Sequence, residues 1–138
     1  MAIDVGKEII SFIPGEMESG VRFEIGYAFL RSGKIKEAIH YLEVATRLEP
    51  TPEHHYWLGE AYFSKGDLVR ALYRYQKITN DFSDDKMWSP IAQYKTGIVL
   101  EFMEEFDEAK KIYNEIIEDR GLGDIWGAEA QKRLEELE

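Results

Sequence analysis

Three histidines and 27 carboxylates are the residues of this chain best suited to acid–base or metal chemistry, and their spacing argues against both. His54 and His55 are adjacent, so they cannot face the same side of a helix, and His40 stands alone. No HExxH and no third ligand surrounds them, so surface or junction histidines are expected and no metal. Asp81, Ser83 and Asp85 occupy positions 1, 3 and 5 of a calcium loop. Lys86 stands where that loop needs glycine and Ala92 where it needs glutamate, so calcium is rejected and Ser83 to Asp85 read as helix-capping residues. Gly121-x-Gly123-x3-Gly127 follows a predicted helix rather than a strand, which removes it as a nucleotide loop. No GxSxG, no Walker lysine and no nucleophile with a paired base is present. The expectation is a protein without catalytic residues or cofactor.

The chain has no cysteine, which excludes disulfides, thiolate catalysis and cysteine-ligated zinc together. Its net charge of −10 is unevenly placed. Residues 1–100 hold 14 acidic and 12 basic side chains, whereas residues 101–138 hold 13 acidic and 5 basic. Nucleic acid is therefore not an expected partner, because phosphate binding needs clustered Lys and Arg. No apolar run approaches the roughly 18 residues of a membrane helix, so no insertion is expected. Met1 to Ile10 lack a basic start followed by an apolar core, which predicts a cytoplasmic protein.

The elements that hold these residues follow from repetition. Leu58-Gly59-Glu60-Ala61-Tyr62 leads through Gly66 to Ala71, reading as two short helices with small residues at their crossing. A shift of 33 residues carries Gly59 and Ala71 onto Gly26 and Ala38, and a shift of 38 carries them onto Gly97 and Ala109. Apolar residues recur at helical spacing throughout, as in Ile35, Ala38, Ile39, Leu42 and Ala45. Gly33 and Gly66 suit helix-ending turns, Asp67 and Asp124 suit N-caps, and a third turn is predicted at Glu104-Glu105-Phe106-Asp107. Repeats are expected at about 16–51, 52–85 and 86–121, with a solvating cap helix over 124–138 and an arm or short helix over 1–13. Arg70, Arg74 and Lys77 form a cationic stripe predicted to face solvent.

These landmarks resemble the tetratricopeptide repeat, a 34-residue unit with L-G-x2-Y, then A-x3-F, then P. Leu58-Gly59-x2-Tyr62 with Ala71-x3-Tyr75 matches well, Ile25-Gly26-x2-Phe29 with Ala38-x3-Leu42 nearly as well, and Thr96-Gly97-x2-Leu100 with Ala109-x3-Tyr113 in phase. Arg22, His55 and Gln93 replace the opening tryptophan of the pattern. The resemblance implies an all-α, right-handed solenoid of antiparallel helix pairs, about seven or eight helices in one domain. It further implies a concave groove lined by first helices, at Phe23, Tyr27, Tyr56, Glu60, Phe63, Tyr94, Ile98 and Phe102. The chaperone-tail clamp of the family is not expected. Of its positions only Lys95 is cationic, while Phe23, Tyr27, Trp57 and Ile91 replace the others.

The functional expectation is a non-enzymatic scaffold or adaptor that holds an apolar or aromatic protein segment, with a basic residue of that segment near Glu60 or Glu101. Two alternatives stand beside it. Several of these aromatics would instead pack between helices or lie under residues 1–12, or the chain would be a self-assembling structural module forming homo-oligomers.

Overall fold

A computed structural model describes residues 15–138, with side chains from Ser19 onward. The arm or short helix expected over 1–13 lies outside the described residues. Among these residues there are seven helices and no strands: α1 (Gly15–Arg31), α2 (Ile35–Leu48), α3 (Pro52–Lys65), α4 (Leu68–Asp81), α5 (Trp88–Phe102), α6 (Phe106–Arg120) and α7 (Ile125–Leu137). None is long and apolar enough to cross a membrane.

Local chemistry sets where each helix begins. The Thr51 hydroxyl accepts from the His54 N–H at 3.0 Å, with Pro52 in the first turn where a missing N–H does no harm. Asp67 accepts from the Arg70 N–H at 3.2 Å and Asp124 from the Trp126 N–H at 2.8 Å. Asp85 receives the N–H groups of Met87 and Trp88 at 3.0 and 2.7 Å, a capping role in place of calcium ligation.

Within each pair the helices end alike. The N–H groups of Lys34, Asp67 and Glu105 donate to the carbonyls of Phe29, Tyr62 and Leu100, each at 2.9 Å. The residue before each donor is left-handed, with φ of 81° at Gly33, 90° at Gly66 and 61° at Glu104. This six-residue closure is the Schellman arrangement. The third turn is therefore tighter than expected: Phe106 and Asp107 already belong to α6.

Each helix packs on the next, and the first helices α1, α3, α5 and α7 also touch their successors, whereas α2, α4 and α6 do not touch one another. The stack thus curves with the first helices inside and the second helices fanned outside. Small residues permit the crossings. A Cβ at Gly97 would lie 2.5 Å from the buried Tyr113 ring, and Gly26 and Gly59 face Leu42 and Tyr75 in the same way. Apolar burial runs through the stack in two clusters that meet at Leu72. Ala38, Ala71, Ala109 and Ala130 are fully buried, and α7 closes the end with Ala130 and Leu134 inward.

Candidate protein-interaction groove

The eight residues expected to line the groove all lie on the inner helices α1, α3 and α5. Phe23, Tyr56 and Tyr94 hold one repeat phase, and each packs on the next inner helix. Phe23 stacks on His54 with ring centroids 4.5 Å apart, Tyr56 meets Trp88 at 5.2 Å, and Tyr94 meets Trp126 at 5.5 Å. Tyr56 also touches Tyr75, and Tyr94 touches Tyr113. Burial, then the Glu60 carboxylate, push the pKa of the Tyr56 hydroxyl up. These three rings join neighbouring repeats.

One turn further along, the inner helices carry Tyr27, Glu60 and Ile98 in phase, and the next inner helix in each case supplies Trp57, Lys95 or Arg133. In the first junction Tyr27 meets Trp57 edge-on at 4.9 Å, and the residue in phase with Tyr75 and Tyr113 is the apolar Leu42. The second junction replaces these apolar groups with a polar bolt. The buried Tyr75 hydroxyl donates to Glu60, and Lys95 lies 3.3 Å from the same carboxylate. The third has the same form, built from Glu101 instead of Ile98. The Tyr113 hydroxyl donates to Glu101, and Arg133 grips that carboxylate with two bonds of 2.9 and 2.5 Å.

Burial and the adjacent carboxylates push the pKa of both tyrosine hydroxyls up, so they remain donors. The hydrogen bond to Glu101 pushes the pKa of Arg133 up. Each bolt ties three helices through a charge-assisted network. Glu60 and Glu101 are therefore already satisfied internally, contrary to the expectation that they would receive a basic residue from outside. Lys95 is spent in the same way.

Phe63 and Phe102 meet edge-on at 5.1 Å near the turn end of the inner row, with Lys95 Nζ 6.0 Å from the Phe63 ring centre. Phe102 is 62% exposed. Tyr27 and Phe102 pack against neither buried cluster, while Phe23, Tyr56, Phe63, Tyr94 and Ile98 do. Among the expected aromatics, Tyr27 and Phe102 are thus the ones held outside the core. Trp57, already placed at a clamp position by the resemblance, is joined on this row by Trp88 and Trp126, which pack on Tyr56 and Tyr94.

The histidines depart from expectation. His54 and His55 sit in the first turn of α3 and are buried, because that turn is tucked beneath the preceding repeat. His54 Nδ1 meets the Glu49 carbonyl at 2.8 Å. Burial, followed by Arg74 and Lys77, lowers the pKa of His55 to about 4, so it is neutral near pH 7. No group of three His, Cys, Asp or Glu residues placed to hold a metal occurs among the described residues.

Family models of the tetratricopeptide repeat match residues 23–84 and residues 91–120. Three proteins of solved structure illustrate the likeness. MamA aligns over 86% and 88% of this chain in two structures, at 24% and 22% identity and TM-scores of 0.73 and 0.75. This chain spans 67% and 63% of those two chains. The Arabidopsis OM64 TPR domain aligns over 89% of this chain and 98% of its own, at 16% identity and a TM-score of 0.72. A putative kinesin light chain from Podosopora anserina with nearly identical TPR-like repeats aligns over 99% of this chain and 83% of its own, at 13% identity and a TM-score of 0.79. No curated protein sequence matches significantly. At 24% identity or less, these structures establish the all-α helical-repeat fold. Tetratricopeptide domains are in general non-enzymatic modules for protein–protein interaction, and this chain belongs to the tetratricopeptide repeat family.

Proposed function

We propose that the chain is a non-enzymatic scaffold or adaptor whose inner row binds a peptide or helix through aromatic anchors. The observation that carries this reading is the position of Tyr27 and Phe102, large rings on the inner row that join neither buried cluster. Such amphipathic or apolar rings at a concave surface are the side chains that interface hot spots favour. Because Glu60 and Glu101 are bound internally, the segment is recognised by apolar and aromatic side chains rather than by a cation at those carboxylates.

Peptides selected from a displayed random library on the wild-type protein test this. The double variant Tyr27→Ala/Phe102→Ala is expected to lose at least tenfold in affinity, a change of about 1.4 kcal/mol, while remaining folded by circular dichroism despite the loss of the Trp57 and Phe63 ring contacts. Retention of full affinity by the folded double variant would remove the groove. Tyr94→Ala serves as a contrast, since loss of its packing on Tyr113 and Trp126 is expected to lower stability by roughly 2–4 kcal/mol.

A further inference from the structure

Two clefts between the fanned outer helices occupy equivalent places on the side away from the inner row. One, of about 500 Å³, lies between α2 and α4 with His55 as floor, and Arg47, Arg74 and Lys77 on its walls. The other, of about 640 Å³, lies between α4 and α6 with Gln93 as floor. The two clefts are the same place in successive repeats. By the repeat spacing, Arg47 corresponds to Asn80, His55 to Gln93, Arg74 to Ile112 and Lys77 to Glu115. At those four positions the second cleft carries no cation, and its own two, Lys86 and Arg120, stand elsewhere on the lining, Arg120 bound to Asp124 at 2.9 Å. In a chain of net charge −10, three cations gathered in one cleft call for a reason.

The stripe expected to face solvent divides accordingly. Arg70 is exposed and bound to Asp67 at 2.7 Å, whereas Arg74 and Lys77 are half-buried in the cleft. Lys77 pairs with Asp81 at 3.1 Å. Arg74 has no carboxylate within ion-pair distance among the described residues. Its Nη1 lies 3.4 Å from His55 Nδ1, a neutral acceptor, and its guanidinium carbon is 5.2 Å from the centre of the Tyr73 ring. Burial lowers the pKa of Arg74, with Tyr73 and the Glu43 carboxylate on the facing wall opposing it only in part, so the guanidinium has lost water without gaining a contacting counter-charge. Arg47, on the facing wall, is exposed and likewise has no acidic partner among the described residues. With Glu43 and Asp81 also on the walls, the cleft carries one positive charge in excess.

We propose that this outer cleft binds one carboxylate of a protein segment, held by the Arg74 guanidinium with Arg47 opposite and His55 fixing the orientation of Arg74. A planar guanidinium matches a carboxylate with two parallel hydrogen bonds, and one carboxylate cancels the excess charge. The site is distinct from the inner row, so the array holds protein segments on both faces.

Three peptide probes identify the source of the carboxylate by ¹H–¹⁵N NMR titration, with inorganic phosphate as the control. A capped, amidated glycine–glutamate peptide offers side-chain carboxylates alone, a capped glycine–serine peptide with a free C-terminus offers the terminal one, and an amidated glycine–glutamine peptide offers none. Saturable shifts of the Arg74 side chain and the His55 amide are expected with the first or the second probe, and none with the third. Arg74→Ile, the residue of the second cleft, is expected to weaken binding at least tenfold, and Arg47→Asn about threefold. If Arg74→Ile fails to fold by circular dichroism, Arg47→Asn alone carries the comparison. No saturable shift with either carboxylate probe, an equal response to inorganic phosphate, or shifts that survive the folded variants would each overturn the assignment.

Discussion

His55 shows how a single buried side chain ties stability to pH. Its pKa is about 4 in the folded protein, against an ordinary value near 6.5, so the folded state holds the ring neutral while the unfolded chain protonates it. The unfolded state therefore binds more protons throughout that window, and stability falls with falling pH. The contribution is complete above pH 6.5 and lost progressively toward pH 4. Between pH 7 and pH 5, above most carboxylate titration, about 1–2 kcal/mol is expected to disappear from urea unfolding. His55→Gln places the residue of the equivalent position Gln93 and is expected to flatten that dependence. An unchanged slope would assign the pH sensitivity to other groups.

At the scale of elements, the three helix-pair turns share one backbone path but not one residue type. Gly33 and Gly66 take left-handed φ without a Cβ, whereas Glu104 takes φ 61° with one. A left-handed conformation costs a residue bearing Cβ about 1–2 kcal/mol, partly offset by the greater freedom that glycine loses on folding. Glu104→Gly is thus expected to stabilise the protein by roughly 0.5–1 kcal/mol, seen as a rise of a few degrees in the thermal midpoint. A fall would mean that the Glu104 side chain contributes more than its backbone loses.

The same turn marks where sequence reasoning stops. The crossings of Gly26, Gly59 and Gly97 were legible because small residues recur at shifts of 33 and 38. The third turn is less legible because no glycine announces it: Glu104 takes the left-handed position. The polar bolts were not legible, since Glu101 finds Arg133 thirty-two residues away and sits one turn beyond the position in phase with Glu60. Only packing shows that a carboxylate from either turn can reach the equivalent tyrosine hydroxyl, Tyr75 for Glu60 and Tyr113 for Glu101. The buried His54 and His55, and the half-buried Arg74, escaped for a related reason. Their surroundings come from the neighbouring repeat, which no local pattern describes.

For the whole molecule, stability in a stack accumulates from each repeat and from the interfaces between neighbours. The last interface depends on Gly127, where a Cβ would run into the backbone carbonyl of Gly121, a group with no room to yield. Gly127→Ala is expected to cost about 2 kcal/mol or more. Hydrogen exchange should show the loss concentrated in α7 and the end of α6, with α1 to α4 nearly unchanged. Uniform loss of protection would instead mark the stack as a single cooperative unit.

The polar bolts also have a bearing on the order in which the repeats can be strung together. At the position filled by Trp57, Lys95 and Arg133, the first inner helix carries Glu24. Exchanging the first two repeats would set Glu24 against Glu60 and leave Lys95 facing Tyr27 and Leu42, an acid against an acid and a cation without a counter-charge. Burying charge unpaired costs several kcal/mol. The units are alike in outline yet not interchangeable parts: each junction is keyed to its neighbour, which fixes the sequence of assembly and guards the array against stacking out of turn.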